Sequence, residues 1–406
     1  MTSAPGPADR HSTWLELFFD LVVVVAVSKL DDLIYSDAHH GPDGLHIATF
    51  FTLYLAIWLV WTSFTLYSNV VADRVRYPSM FVGMAGIAMM AATIPNGVSD
   101  RADIFAAMYL VTSGVGSSNF TRSGQVLLSW GAASRNAGLA PWIVSFWVED
   151  PWWKLSLWIL GLVISLWFSV LSGRGNSAGT LDRLNERLSR RGERSRRGTS
   201  TPVLVAAHVD AGHLGERLGL FVIIVLGEAM LQLVETLADV DDWSPGEGQG
   251  WLLLVTVVSA FGLLIALWWL NVKNGFAEEA RFPPQFVLPA HFAAIAAVTT
   301  VASGIGTAVT ATYGHLPVSS AWLLCGGVSG YLTVITLLSR QTFSWRVLVT
   351  VLAVVLPLAM GTLSSRVAPA VVVIVLLTVC AGQAWNLRVT VGPASDAPRT
   401  GPAAAE

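Results

Sequence analysis

Long apolar runs separated by short polar segments cover nearly the whole chain. A membrane-spanning helix needs about 20 mostly apolar residues, and the chain offers twelve such runs. They lie near residues 14–34, 46–68, 78–95, 102–120, 123–147, 152–172, 204–236, 250–271, 286–311, 318–339, 346–363 and 368–388. The pattern predicts an all-α fold, a polytopic transmembrane helix bundle of about twelve helices.

Composition supports the same class of protein. Hydrophobic residues make up 53% of the chain, charged residues 13%, and the mean hydropathy is +0.59. Soluble proteins carry roughly 45 to 50% apolar and about 25% charged residues. The expected location is the cell membrane, with the lipid bilayer as partner. A net charge of −3 gives no reason to expect nucleic acid binding.

The basic residues indicate which side of the membrane each loop faces. With a cytoplasmic N-terminus and an even number of crossings, most of the 24 Lys and Arg fall in inner loops. The outer loops then hold Lys29, Arg101, Lys154 and Arg366. Because cytoplasmic loops carry an excess of Lys and Arg, both termini are predicted to be cytoplasmic.

A polar, arginine-rich segment divides the apolar runs into two sets of six. We therefore predict an N-terminal transmembrane half at 1–172, a basic cytoplasmic linker at 173–202, a C-terminal transmembrane half at 203–390 and a disordered tail at 391–406.

The beginnings of the two halves are similar. The stretch "ELFFDLVVVVAVSKL" from Glu16 aligns with "ERLGLFVIIVLGEAM" from Glu216. Two six-helix repeats in one orientation, related by an axis along the membrane normal, occur in some secondary transporters. The sequence therefore predicts an internal repeat.

Three stretches resemble a known family. "LELFFDLVVVVAVSKL", "WLVWTSFTLYSNVVADRVRY" and "HLGERLGLFVIIVLGEAM" are similar to the low-temperature-requirement A (LtrA) family of bacterial membrane proteins. The resemblance implies a polytopic membrane protein linked to growth in the cold, with no agreed biochemical activity. It is most specific at Glu16, Phe18, Phe19, Asp20, His213, Glu216, Arg217, Gly227 and Glu228.

Carboxylates lie inside the first predicted helix. Each charge at the bilayer centre costs at least ~2.5 kcal/mol and has to face protein or water. Glu16 and Asp20 are four residues apart and share a helical face, and Asp31 falls near the azimuth of Asp20. We expect this acidic side to face the other half of the protein.

The seventh predicted helix begins with His213, Glu216 and Arg217, spaced so that they can meet on one surface. Two interpretations remain open: an ion pair within this helix, or a pair such as Glu16 with Arg217 across the halves. The candidate residues for a cytoplasmic gate, or for a purely structural clamp, are Glu16, Asp20, His213, Glu216 and Arg217.

Farther along the same helix, Glu228 is predicted to lie near mid-membrane, about 18 Å from Glu216 at 1.5 Å per residue. Gln232 and Glu235 fall on nearly the same face. We interpret Glu228, Gln232 and Glu235 as a transport or coupling site, with Arg135 of the fifth run as a candidate partner. The alternative is a protonated carboxyl with a structural hydrogen bond.

Motifs for familiar cofactors and hydrolases are absent: the sequence has no P-loop, GxSxG, HExxH or strand-linked GxGxxG. We predict no cofactor, no metal and no catalytic residues. The favoured function is proton- or cation-coupled transport of an unidentified small solute. Two alternatives stay open, a membrane-embedded enzyme acting on a lipid or natural product and a non-catalytic factor for growth in the cold.

Overall fold

A computed structural model describes residues 12–35, 41–71, 75–94, 101–127, 138–172, 186, 205–240, 250–276, 282–339 and 346–388. Three sequence predictions lie outside these residues: the linker at 173–202, apart from Glu186, the tail at 391–406, and Arg135.

The described residues form twelve α-helices, and the predicted all-α bundle is confirmed. The helices are α1 Trp14–Ile34, α2 Gly44–Val71, α3 Tyr77–Thr93, α4 Ala102–Ser123, α5 Leu139–Val144, α6 Pro151–Ser172, α7 Ala211–Ala238, α8 Gly250–Asn274, α9 Pro284–Thr310, α10 Val318–Leu338, α11 Arg346–Leu363 and α12 Pro369–Arg388. Two 3₁₀ turns, Ser145–Trp147 and Ser364–Arg366, and two strands, β1 Gln125–Leu127 and β2 Val205–Ala207, complete the elements.

Length and hydropathy make most of these helices suitable for a bilayer. Seven of the described helices are long and apolar enough to cross a membrane: α2, α6, α7, α8, α9, α10 and α12. The first helix is long enough but carries Glu16, Asp20, Lys29, Asp31 and Asp32. A helix with that many charges is accommodated in lipid only if the charges face protein or water.

The start of α1 has a capping box, which sequence reading missed. Thr13 is the N-cap residue, and its hydroxyl accepts a hydrogen bond from the backbone N–H of Glu16. In return the Glu16 carboxylate accepts from the backbone N–H of Thr13 at 2.9 Å. The signature is Thr-x-x-Glu, which satisfies two otherwise unpaired donors. One function of Glu16 is therefore local, because it fixes where α1 begins.

The predicted helix at 123–147, a run that contains Gly and Pro, is wrong for Gln125–Leu127, which form a strand. In this part of the described chain, β1 follows α4 and pairs in parallel with β2, with Val126 opposite Ala206. Helix is resumed only in α5 and the following 3₁₀ turn. Gly124, between α4 and β1, has a φ of 71°, a left-handed conformation that ends the right-handed helix before the strand.

The strand β1 and the start of α6 lie at opposite ends of α4. Lys154 at the start of α6 donates to Asp103 at the start of α4 at 2.7 Å, so those two helices begin on the same side, whereas β1 follows the far end of α4. Trp142 of α5 stacks on Trp158 of α6 with ring centres 4.8 Å apart.

Helix packing follows one scheme in each half. In the first half α1 packs on α2 and α3, α3 on α4, α2 on α4 and α6, and α5 on α6. In the second half α7 packs on α8 and α9, α9 on α10, α8 on α10 and α12, and α11 on α12. The halves meet where α1 and α2 pack against α7 and α9. The central helices α2 and α9 have the largest share of buried residues in their apolar stretches among the long apolar helices.

The two faces of α1 differ in polarity. Phe18, Leu21 and Val25 are each about half exposed, at 53%, 51% and 55%. Asp20 and Asp31, in contrast, are 0% and 2% exposed. The apolar side of α1 therefore faces outward, as expected in lipid, and the acidic side faces the interior.

Candidate functional site

Arg217 lies at the centre of a buried charge cluster between α1, α2 and α7. Its Nε and Nη2 atoms donate to Oδ2 and Oδ1 of Asp20 at 3.1 and 2.9 Å. Its Nη1 atom donates to Ser68 Oγ at 2.7 Å and lies 3.6 Å from Oε1 of Glu16. A two-point contact between guanidinium and carboxylate fixes both distance and plane. The cluster therefore joins the first helix of each half in one orientation.

Trp61 of α2 completes the environment of Asp20. Its indole Nε1 donates to Oδ1 of Asp20 at 2.6 Å, and its ring centre lies 6.0 Å from Cζ of Arg217. Asp20 thus accepts three hydrogen bonds while it is fully buried. A buried carboxylate needs this degree of compensation, because desolvation of each ion costs several kcal/mol.

His213 extends the charge cluster toward the start of α7. The Asn69 amide is oriented by Asp210, whose backbone N–H donates to Asn69 Oδ1 and whose carbonyl accepts from Asn69 Nδ2. Asn69 Nδ2 therefore donates to Nδ1 of His213 at 3.1 Å. If Nδ1 accepts, the ring proton is on Nε2, which lies 3.4 Å from Oε2 of Glu16. The separation brings the imidazole close to the Glu16 carboxylate, but Nε2 makes no hydrogen bond to the described residues.

The structure corrects the interpretation of an ion pair within α7. All hydrogen-bond and ion-pair partners of Arg217 among the described residues lie on α1 and α2. Glu216 is half-buried and stands about 100° around the helix from Arg217. Spacing alone allowed both arrangements, and the cross-helix arrangement provides better geometry because Asp20 meets the guanidinium at two points.

An aromatic layer lies one turn beyond Arg217 along α7. It consists of Trp61, Phe221 and His291, from α2, α7 and α9. The ring centre of Trp61 is 4.7 Å from that of Phe221 and 5.2 Å from that of His291. Trp58 Nε1 donates to Nδ1 of His291 at 3.3 Å, and all four rings are buried. The layer therefore fills the interface between the halves next to the charge cluster.

A second pair of ionisable groups lies farther along the same two helices. Asp31 is eleven residues beyond Asp20, and Glu228 is eleven residues beyond Arg217. Eleven residues are close to three helical turns and span about 16 Å, so both side chains return to the azimuth of the first pair. Because α1 packs against α7, this spacing places Asp31 and Glu228 at the same helix interface as Asp20 and Arg217.

The two members of this pair have different surroundings. Asp31 is 2% exposed, and neither of its carboxylate oxygens has a hydrogen-bond partner among the described residues. Glu228 and Gln232 are half-buried, and Glu235 is exposed. The predicted polar stripe on α7 therefore runs from the interior toward the end of the helix. Sequence reading placed Asp31 on the acidic face of α1 but did not assign it to the site.

Three helices converge close to this pair. A Cβ on Gly306 of α9 would lie 2.8 Å from the ring of Tyr35 and 3.2 Å from Oγ1 of Thr236. Tyr35 follows α1 directly, and Thr236 is near the end of α7. One turn before Gly306, the buried Ser303 hydroxyl has no hydrogen-bond partner among the described residues. The absence of a side chain at Gly306 lets α1, α7 and α9 approach closely.

The bundle of long apolar helices, with its charged groups turned inward, defines an integral membrane protein with multiple transmembrane helices. A sequence profile described as "Bacterial low temperature requirement A protein (LtrA)" matches residues 11–382. The chain belongs to this family, and the resemblance noted in its sequence is confirmed.

A curated relative is similar over much of its length. It is an uncharacterised protein, RA0937, of Rhizobium meliloti (strain 1021), 23% identical over 351 residues that cover 77% of this chain and 70% of the relative. No solved structure gives a significant match.

Proposed function

We propose that this protein is a secondary transporter for a small solute, coupled to protons or another cation, with two six-helix halves and both termini in the cytoplasm. The observation that carries the proposal is the position of the ionisable groups. They lie at two depths of a single interface, between α1 and α7. Ionisable residues inside a membrane protein are costly, and those that face its interior often mark ion pathways and proton relays.

The shared packing scheme supports an internal repeat. Each principal contact within the first half has a counterpart in the second when six is added to both helix numbers, as α1 on α3 becomes α7 on α9. Transporters built from repeats place their substrate and ion sites at the repeat interface. Here that interface contains the charge cluster, the aromatic layer and the pair of Asp31 and Glu228.

In this mechanism the charge cluster is the cytoplasmic gate and Glu228 is the coupling group. Separating Arg217 from Asp20 opens one side, while the aromatic layer separates that side from Glu228. Protonation of Glu228 removes a buried charge and lowers the cost of exposing the site to the other side. Gln232 and Glu235 continue the path from Glu228 toward the end of α7.

The test is a flux measurement in proteoliposomes with a trapped pH-sensitive dye. Purified protein is challenged with a panel of ions and small organic solutes, with the wild type beside Glu228→Gln. The matched control is Glu149→Gln, which removes an exposed carboxylate outside the helices. Flux in the wild type and in the control, but not in Glu228→Gln, is the expected result.

Two other outcomes contradict the proposal. Undiminished flux in Glu228→Gln removes Glu228 from the coupling site. Absence of flux for the whole panel, together with growth in the cold that tolerates Glu228→Gln, favours a non-catalytic membrane factor. Turnover of an added lipid by the purified protein favours the enzyme alternative.

A further inference from the structure

Asp31 differs from the other buried carboxylates of α1 in having no compensating group. Asp20 accepts three hydrogen bonds and faces Arg217. Neither Oδ1 nor Oδ2 of Asp31 accepts a hydrogen bond from the described residues, although only 2% of the residue is exposed. A buried carboxyl without hydrogen-bond partners loses its hydration without compensation, and this costs free energy.

The charged and titratable groups around Asp31 include no cation. Glu228 is on α7, which packs against α1, and Asp32 is the next residue of α1. Tyr54 of α2 interacts with it electrostatically, and its hydroxyl lies 3.3 Å from Oγ1 of Thr299. Helices α3 and α9, which also pack on α1, have no Asp, Glu, Lys or Arg. Among the described residues, no cation is paired with Asp31.

Lys29 is the nearest basic residue in sequence, but it is engaged elsewhere. Its Nζ lies 3.0 Å from Oδ2 of Asp32, and both of those side chains are about half exposed. Asp32 therefore has a counter-ion and is about half exposed, whereas Asp31 has no counter-ion and is buried. Two adjacent carboxylates of one helix are thus in opposite electrostatic environments.

We propose that Asp31 and Glu228 form a carboxyl pair that holds one exchangeable proton between the two halves. Asp31 is buried and accepts no hydrogen bond from the described residues, and α7, the helix that carries Glu228, packs against α1. A proton held here removes a buried charge that no hydrogen bond or ion pair compensates. The buried hydroxyl of Ser303, one turn from the convergence at Gly306, supplies a polar group on the third helix of this region.

This inference deepens the proposed function and rests on it, because it names the proton as the coupling ion and Asp31 as the second group of the coupling site. Glu228 is the half-buried member through which the proton is exchanged. Asp31 is the fully enclosed member that retains the proton when the site is closed to water.

The test uses a hydrophobic carbodiimide, which reacts with protonated carboxyl groups in apolar surroundings. Full-length protein in lipid nanodiscs is labelled over a range of pH, and the modified residue is located by mass spectrometry. We expect a label on Asp31 or Glu228 that decreases as pH rises, and no label there in Asp31→Asn with Glu228→Gln. The matched control Asp32→Asn, which removes the neighbouring exposed carboxylate, retains the label.

A second measurement does not depend on the reagent. Infrared difference spectra in H₂O and D₂O report protonated carboxyl groups, and Asp31→Asn is expected to remove one such band. If neither label nor band is found at this pair, or if Na⁺ at constant pH prevents labelling, the proton assignment is wrong.

Both measurements are independent of flux. Label without flux leaves the proton site in place and contradicts transport. Flux without label leaves transport in place and contradicts the proton pair.

Discussion

Two regions of the α1–α7 interface each contain a buried Asp of α1, but the group that α7 supplies differs between them. Near the start of the helices, Asp20 faces Arg217 and receives three hydrogen bonds. Three turns later, Asp31 faces Glu228 and receives none from the described residues. The first region is a stable ionic contact in the structure as it stands. The second has no such contact, and in our proposal it holds a proton instead.

The difference shows that burial by itself does not define a functional group. A carboxylate that is fully paired contributes to one fixed arrangement of the halves, and it changes state only when that arrangement changes. A carboxyl beside another carboxyl has no fixed counter-ion, so it can gain or lose a proton when its access to water changes. The following variants test this distinction, from the largest expected effect to the smallest.

Arg217→Met should have the largest effect on stability. It leaves Glu16 and Asp20 buried without their cation, and breaking a buried ion pair costs about 3 to 5 kcal/mol. The measurement is the free energy of unfolding in detergent by denaturant titration. Adding Asp20→Leu should recover much of the loss, because the uncompensated carboxylate is then absent.

The control for Arg217→Met is Lys154→Met. The side chain of Lys154 is only 8% exposed, but that of its partner Asp103 is 54% exposed. The carboxylate that Lys154→Met leaves behind therefore stays hydrated, and the loss should be smaller than for Arg217→Met. Equal effects of Arg217→Met and Lys154→Met would show that the charge cluster is not the stable ionic contact described above.

Trp61→Phe should have an intermediate effect. The substitution retains a ring in the aromatic layer but removes the hydrogen bond to Asp20. Hydrogen bonds to charged groups contribute about 1.5 to 3 kcal/mol, and a decrease of that size in unfolding free energy is expected. Trp152→Phe, at an exposed position, is the matched change. A Trp61→Phe protein as stable as Trp152→Phe would argue against compensation of Asp20 by the indole.

Gly306→Ala tests the close approach of α1, α7 and α9 beside the carboxyl pair. The added methyl group would lie 2.8 Å from the Tyr35 ring, and overpacking of this kind costs about 1 to 3 kcal/mol. Gly326→Ala in α10 is the control, since no atom lies within 4 Å of its added methyl. Thermal unfolding of both variants gives the comparison, and equal stability would contradict the convergence.

Asp31→Asn should have the smallest effect on stability, within about 1 kcal/mol of the wild type, because there is no hydrogen bond or ion pair to lose. Denaturant titration beside Arg217→Met measures the contrast. A loss of several kcal/mol would mean that Asp31 has a compensating partner, and the distinction between the two regions would fail.

Much of the fold was predictable because its signals are local. Apolar runs of about 20 residues specify transmembrane helices, and the helix bounds agree with prediction for most of the chain. There are two exceptions, because the strand Gln125–Leu127 lies in the predicted helix 123–147 and its partner strand Val205–Ala207 lies in the predicted helix 204–236, which begins only at Ala211. A parallel pair between segments so distant in sequence has no local signal, and sequence reading therefore missed it.

The candidate site was predictable as a set of residues but not as a set of contacts. Helical spacing placed Glu16, Asp20 and Asp31 on one face of α1, because the period of the helix is fixed. Spacing did not show that Arg217 would choose Asp20 over Glu216. It also gave no sign that Trp61 and Ser68 of α2 would complete the cluster.

The sequence by itself determined the class of protein, its family and the presence of charges that have to avoid lipid, since hydropathy and helical period act over one or two turns. Tertiary structure decided which of those charges are neutralised. Asp20 and Asp31 lie on one face of one helix, yet α7 presents a guanidinium to the first and a carboxyl to the second. Such pairings depend on how helices from the two halves pack, which local sequence does not specify.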